Sequence, residues 1–317
     1  MENPTTLQEA MIYFAEAENC RIFLEALRWA DGKVICPNCG SERVSYLNNA
    51  RVYKCYAGHP RAKFSLKVGT IFEDSPIGLE KWLPALWLIV NSKNGVSSCE
   101  LSRSLGITQK SAWFMAHRLR FALHRGSFEN LLSGEVEADE TFIGGKARNM
   151  HVNKRERRIT GTGGKDKTAV MGLLERGGEV RTAVIPNRKR SAVQGEVRKH
   201  VQAGSSLYTD ALPSYSSLAQ EYAHKVVDHA VEYVNDAVHT NSLENFWSLL
   251  KRGISGTYIS VEPFHLFRYL DEQTFRYNER SKPDRPMSDS DRFVLAAYKI
   301  VGKRLTWDAL TGKDRAF

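Results

Sequence analysis

Residues 134–143 read GEVEADETFI, and the alternation of polar and apolar side chains predicts a β-strand with Asp139 in its middle. Working outward, KTAVMGLLERGGEVRTAVIP at 167–186 predicts two strands of a hairpin turning at Gly177-Gly178. A helical stretch near 192–202 follows, then a short strand, SLYTD, that ends at Asp210. A second helix is expected from about Pro213, a strand in HKVVDHA at 224–230, and a last helix within HTNSLENFWSLLKRGISGTY at 239–258. The resulting order, β-β-β-α-β-α-β-α, is that of a mixed sheet flanked by helices.

Three acids, Asp139, Asp210 and Glu244, each stand where one of these patterns meets a polar turn. Carboxylate oxygens are hard ligands suited to Mg²⁺, and three of them bring about the negative charge that a pair of divalent ions needs before a nucleic-acid phosphate arrives. Lys251 lies seven residues beyond Glu244, so a helix returns it to nearly the same face two turns along. Each acid also has a plainer reading. Asn241 followed by Glu244 fits a capping box, Asp210 fits a turn former three residues before Pro213, and Glu137 and Glu140 beside Asp139 fit a solvated strand edge.

Acids on the first strand, after the fourth strand and on a late helix follow the plan of the ribonuclease H-like nucleases. EADETFIGGK, LYTDALPSY and HTNSLENFWSLLKRGISGTY, in that order, resemble bacterial insertion-sequence DDE transposases of the family numbered fifteen ninety-five. The resemblance implies an α/β fold with a ribonuclease H-like mixed sheet, and a catalytic set of Asp139, Asp210, Glu244 and Lys251. The acids would hold two Mg²⁺ (or Mn²⁺) per active site. It implies DNA as partner, both the terminal inverted repeats of an element and a target, bound by a homo-oligomer, at least a dimer. Water would cleave at an element end, and the freed 3′-hydroxyl would then attack target DNA in the same in-line geometry. The family varies at its third position, where Glu244 is preferred to nearby Asn241 because it is the anionic ligand.

Composition agrees with a polyanionic partner. Lys and Arg number 45 against 36 Asp and Glu, a formal charge of +9 and a pI near 9.3. Between Lys146 and Lys167 stand eight basic residues, Lys146, Arg148, Lys154, Arg155, Arg157, Arg158, Lys165 and Lys167, against two acidic ones. This glycine-interleaved stretch reads as a mobile basic loop that leaves the strand of Asp139 and can reach the same substrate. Lys154, Arg155, Arg157 and Arg158 are its candidate DNA contacts, and Arg252, next to Lys251, is another.

Near the start, CPNC at 36–39 and CYAGH at 55–59 have metal-ligand spacing. Cys36 and Cys39 form a knuckle able to point two thiolates at a tetrahedral Zn²⁺. The family usually closes with a second Cys pair; here Gly58 takes that position and His59 follows. Cys36, Cys39, Cys55 and His59 are therefore read as one structural zinc site, closed and not catalytic, while Cys20 and Cys99 read as ordinary helix residues. Arg43, Arg51, Lys54, Arg61 and Lys63 make the surrounding ribbon basic.

LSRSLGITQKSAWFMAHRL reads as a helix-turn-helix with Gly106 at the turn and Thr108 as N-cap. Gln109, Lys110 and Ser111 open its second helix and are the candidate base contacts, with Arg118 further along; Trp113, Phe114 and His117 read as core. The expected domains are an N-terminal helical segment at 1–32, a zinc ribbon at 33–72, a helix-turn-helix region at 78–127, the ribonuclease H-like domain at 133–281, and a tail with one short helix at 282–317. The start MENPTT lacks a basic leader region, and the most apolar stretch, WLPALWLIV at 82–90, is too short to span a membrane and is broken by Pro84. The cysteine pattern fits a reducing cytoplasm. Two other readings remain: a nuclease or resolvase that cleaves without joining, and a non-catalytic zinc-ribbon DNA-binding regulator. The ribbon and helix-turn-helix argue for recognition of a defined end sequence, and the intact acids argue against a decayed site.

Overall fold

The computed structural model describes residues 3–124, 130–144, 151–158, 167–227 and 239–313. The chain forms two compact units, one of residues 1–124 together with 281–317, the other of residues 125–280.

The first unit opens with α1 (Leu7–Ala15), where the Thr6 hydroxyl accepts from the Glu9 amide, and α2 (Ala17–Arg28). Strands β1 (Val44–Leu47), β2 (Val52–Cys55) and β3 (Lys63–Phe64) form a small antiparallel sheet in that order. Its buried Tyr53 stacks on Phe64 and takes the edge of Trp29 at the end of α2, which fixes that helix to the ribbon. Helix α3 (Leu79–Asn91) runs through Pro84 where a break is expected. A proline ring forfeits one backbone bond, at about 3 kcal/mol, and burial of eight side chains of this helix outweighs that loss. Helices α4 (Ser98–Leu105) and α5 (Gln109–Leu123) follow, turning at Gly106 in the left-handed region (φ 59°), with the Thr108 hydroxyl accepting from the Ser111 amide.

The second unit is built on β4 (Glu135–Ile143), with the short α6 (Val152–Arg158) ahead of the hairpin β5 (Thr168–Glu175) and β6 (Val180–Ile185). Then come α7 (Arg190–His200), β7 (Ser206–Asp210), β8 (Ala223–Val227), α8 (Asn241–Gly253) and α9 (Leu266–Asn278). The five strands lie in the order β6-β5-β4-β7-β8; β4, β5 and β6 are antiparallel neighbours, and β7 and β8 run parallel to β4. This is the ribonuclease H-like mixed sheet with β4 at its centre. One face packs Val136, Ala138 and Leu207 against Val193 and Val197 of α7. On the other face Ile143, Val170 and Leu174 meet Leu243, Phe246 and Trp247 of α8 and Leu270 of α9. The period-two alternation of β4 thus separates two hydrophobic layers.

The helix expected from Pro213 is two short 3₁₀ turns, Pro213–Tyr215 and Leu218–Gln220. Residues 211–222 must join neighbouring parallel strands, a connection near the minimum length for such a crossover, so there is room to bury Tyr215 and Leu218 but not for a full helix. The strand expected at 224–230 begins at Ala223; its residues 228–230 lie outside the described residues.

After this unit the chain returns to the first with α10 (Asp289–Tyr298), started by a Ser288/Asp291 capping box, and α11 (Trp307–Thr311). Fully buried Phe293 of α10 stacks on Phe23 and contacts Phe14 and Trp87, and Lys303 donates to the carbonyls of Ala122 and His124. Where the sequence reads one short helix in this tail the structure has two, and the first contributes Phe293 to the core of the first unit.

Candidate active site and zinc centre

Asp139 faces α8 from β4, while Asp210 closes the neighbouring strand and Glu244 stands in the first turn of α8. Glu137 and Asp139 share one face of β4 by alternation, and the parallel register Ala138↔Thr209 brings the next residues along, Asp139 and Asp210, to the same end of neighbouring strands. Asp139 is tightly held: its Oδ2 accepts from the Trp247 indole N–H at 2.9 Å and its Oδ1 from the Glu140 amide at 2.7 Å. Burial pushes the Asp139 carboxyl up to about 6; the Glu140 amide and Trp247 oppose the rise, and the charges of Asp210 and Glu244 add to it. Asp210 closes β7 and its Oδ1 accepts from the Leu212 amide at 3.1 Å, so it also acts as a turn former.

Glu244 is exposed in the first turn of α8, and Lys251 is exposed in the last. The capping-box reading of Glu244 does not describe how this helix starts. Its N-cap is Thr240, without a side-chain cap bond, and Asn241 is already the first helical residue. The amide of Leu243, 3.1 Å from the Thr240 carbonyl, also donates to Glu137 Oε2, at 3.0 Å across the fold.

Glu137 is fully buried, not the solvated edge residue expected. Its Oε1 accepts from Arg176 Nε at 3.0 Å. Glu140, on the opposite face, accepts a hydrogen bond from the Tyr215 hydroxyl, and burial lifts it to about 7 against that bond, with Asp210 and Asp139 adding to the rise. Trp247 and Gly172 are further parts that sequence reading passes over. Gly172 pairs with Asp139 across the sheet, and a Cβ there would come within 2.6 Å of the Trp247 ring and 2.9 Å of Leu243. Only glycine lets α8 approach this closely. The three-residue step from Glu244 to Trp247, one helical turn, is the signal that could have found the tryptophan.

The two implied kinds of metal can be tested against these donors. Cys36, Cys39, Cys55 and His59 have ligand atoms all within 4.8 Å of one another, with Cys39 Sγ to Cys55 Sγ at 3.7 Å and Cys36 Sγ to His59 Nε2 at 3.4 Å. A tetrahedron with zinc–sulfur bonds of about 2.3 Å has edges of about 3.8 Å, so the set fits Zn²⁺ as it stands. The three-residue gap before His59 is accommodated by Gly58 at φ 80°. At Cys55, burial raises the thiol, but the Ala57 amide, His59 and the neighbouring cysteines outweigh it and bring it down to about 7, towards the thiolate that zinc requires. Cys20 is different: burial, and then Glu80, push it up to about 12, and its Sγ lies 3.2 Å from the Phe14 carbonyl.

Among the described residues, the carboxylates of Asp139, Asp210 and Glu244 do not converge on a single ion in this way. Their chemistry nevertheless fits hard divalent cations, since the donors are all carboxylate oxygens.

The expected DNA contacts divide. Lys110 is exposed, with its ammonium 4.8 Å from the Trp307 ring; exposed Gln109 donates to Ser98 Oγ; half-buried Ser111 belongs to the cap of α5. Arg118 is a correction. It is 3% exposed, donates to the Glu73 carbonyl, and lies over the rings of Trp82 and Phe114, while burial lowers it to about 10. It is a core residue. Arg155 on α6 and Arg252 on α8 are exposed. Lys146, Arg148 and Lys165 lie outside the described residues, as do the side chains of Lys154, Arg157 and Arg158. Among the described residues no helix is long and apolar enough to cross a membrane.

Comparison with known proteins supplies the family. Residues 131–278 match the ISXO2-like transposase domain, and residues 16–59 match the transposase zinc-ribbon domain. The latter begins before the expected ribbon and takes in α2, whose end packs on Tyr53. A relative, an uncharacterized protein in transposable element ISH50 of Halobacterium salinarum, is 29% identical over 256 residues, 76% of this chain and 84% of that protein. A chain of the simian T-cell lymphotropic virus intasome, solved by cryo-electron microscopy with the PP2A regulatory subunit B56 gamma, has a TM-score of 0.29 and 14% identity, over 61% of this chain and 66% of that one; so slight a likeness carries no weight. With a zinc ribbon that places its four ligand atoms together ahead of a mixed α/β sheet domain, the chain carries a transposase zinc ribbon and an ISXO2-like transposase domain of the insertion-sequence transposases.

Proposed function

We propose that this protein is an active DNA transposase that binds the ends of its element, cleaves phosphodiester bonds there and joins the freed 3′-hydroxyl to target DNA, with Asp139, Asp210 and Glu244 as one catalytic site. The observation that carries this reading is the environment of Asp139. Held by Trp247 from the helix of Glu244, it lies within the electrostatic reach of both Asp210 and Glu244. The three acids would hold two Mg²⁺ or Mn²⁺ ions, which when bound supply Lewis-acid charge to an in-line displacement at phosphorus. The chain's own contribution is placement: Trp247 and the Glu140 amide fix Asp139, the Leu212 amide fixes Asp210, and α8 presents Glu244. Lys251, exposed two turns along α8, contacts the phosphate beside the scissile bond.

End recognition is assigned to the start of α5 at Gln109, Lys110 and Ser111, with Arg155 and Arg252 as backbone contacts; buried Arg118 takes no part. Zinc in the Cys36–Cys39–Cys55–His59 site is structural. The protein works as a homo-oligomer on DNA in the cytoplasm, where its thiolates stay reduced. The test is a cleavage-and-joining assay on duplexes that carry the DNA flanking the native gene. Asp139→Ala, Asp210→Ala and Glu244→Ala should each abolish cleavage and leave end binding within a few-fold. Cleavage retained by any of them removes that residue from the site, and cleavage without joining favours the nuclease reading.

A further inference from the structure

Beside the three acids lies a second, buried group that family membership does not assign. Glu137 stands two residues before Asp139 on β4, on the same face and with no exposed surface. Its two oxygens are used separately: Oε2 accepts from the Leu243 amide in the first turn of α8 at 3.0 Å, and Oε1 accepts from Arg176 Nε at 3.0 Å, with His239 Nδ1 at 3.5 Å. Arg176 in turn reaches His239, just ahead of α8, through its backbone carbonyl at 2.7 Å and Nδ1 at 3.2 Å, approaches Glu135 at 3.5 Å, and lies 4.3 Å from the centre of the Tyr208 ring. One guanidinium thus joins β4, β7 and the chain entering α8. A charge with no solvent access is retained only where it is paired and hydrogen-bonded, so this arrangement needs an explanation.

The spacing of the contacts supplies one. Helix α8 is fastened to β4 at two points, Leu243 to Glu137 and Trp247 to Asp139. The strand points are two residues apart, about 6.8 Å of extended chain, and the helix points are four residues apart, about 6 Å of helix. The two repeats match, and Glu244 sits between the fasteners, one residue after the first. Since the N-cap Thr240 gives no side-chain bond, Glu137 provides a cap from another element, and a carboxylate at a helix N-terminus is also favoured by the helix dipole.

We infer that Glu137, clamped by Arg176, is a positioning residue that sets the register of α8 on β4 and thereby delivers Glu244 to Asp139. It touches neither substrate nor metal and acts through the helix. The inference rests on the reading of Asp139, Asp210 and Glu244 as the catalytic site.

The experiment uses the full-length, zinc-loaded protein with Glu137→Ala, Glu137→Gln, Arg176→Lys and Asp139→Ala. Hydrogen exchange of residues 241–250, measured without divalent metal, reports how firmly α8 is held, and zinc content and circular dichroism report folding. Cleavage of end DNA titrated with Mn²⁺ gives both the rate and the metal concentration at half-effect. Glu137→Ala should speed exchange in α8, lower cleavage ~10- to 100-fold and raise the metal half-point by a similar factor, with end-DNA affinity unchanged. Glu137→Gln keeps an acceptor for the Leu243 amide and should fall between Ala and wild type. Arg176→Lys keeps a charge but not the fork, and should likewise speed exchange in α8 and raise the metal half-point, so that it carries the test if Glu137→Ala does not fold. Wild-type exchange in α8 together with a wild-type metal half-point in the folded variants overturns the assignment. Normal cleavage by Glu137→Ala beside an inactive Asp139→Ala overturns the role of Glu137 alone. Normal cleavage by Asp139→Ala overturns the site reading, and the role of Glu137 with it.

Discussion

The hydrogen bond from Trp247 to Asp139 makes one carboxylate rigid before any metal binds. Trp247→Phe keeps most of the ring in its pocket and removes only the N–H, so it should lower cleavage ~10- to 100-fold while destabilising the fold by about 1.5–3 kcal/mol, the usual worth of a bond to a charged group. A variant with normal turnover in a cleavage assay would show that Asp139 does not need the bond. Lys251 is exposed, and its alanine variant should cleave and join ~10- to 1,000-fold more slowly with metal affinity little changed, as for one positioned cation at a transferring phosphate. Near-normal turnover would make it a solvated helix residue. Arg118 shows the limit of reading charges from sequence. Its place on a helix is legible, but the Glu73 carbonyl and the Trp82 ring that bury it come from 45 and 36 positions away. Arg118→Ala should therefore lower the melting temperature and leave end-DNA affinity per folded molecule unchanged, whereas weakened binding in a fully folded variant would restore it as a DNA contact. Glu137 fails to stand out for the same reason, because an acid between apolar neighbours looks alike whether the strand is central or at an edge.

Among elements, the close approach of α8 to the sheet hangs on Gly172. Gly172→Ala puts a methyl against Trp247 and Leu243, and overpacking of this kind costs about 1–3 kcal/mol. Thermal unfolding should register that loss, and cleavage should fall further than stability alone accounts for, because the displaced helix carries Glu244. A stable variant with full activity would mean that α8 has slack. Strands β4 and β7 are legible almost to the residue, since alternation and the flanking turns mark both ends; SLYTD is β7 entire. The segment after Asp210 is misread because helical propensity is local, whereas the twelve residues available between two parallel strands are a constraint of the sheet. Pro84 is misread in the opposite sense, as a local break that burial overrides. Glycine 172 carries no such local mark: its meaning lies in the tryptophan that faces it from a helix some 75 residues later.

For the whole molecule, the division into two units makes zinc and catalysis separable. Cys36→Ser should release zinc and unfold the ribbon, weakening end binding, while residues 125–280 expressed alone keep their fold as judged by circular dichroism and bind no zinc. Zinc bound stoichiometrically by that fragment, or none by the full chain, would sink the assignment. The first unit is discontinuous, closed by Phe293 against Phe14, Phe23 and Trp87. That arrangement orders events on the ribosome. The ribonuclease H-like unit emerges whole and can fold while translation continues, but the N-terminal helices must wait, with Phe14, Phe23 and Trp87 uncovered, until α10 leaves the exit tunnel. A frameshift or premature stop between Arg280 and Phe293 would thus cripple the first unit, the part made first, and leave the ribonuclease H-like unit intact.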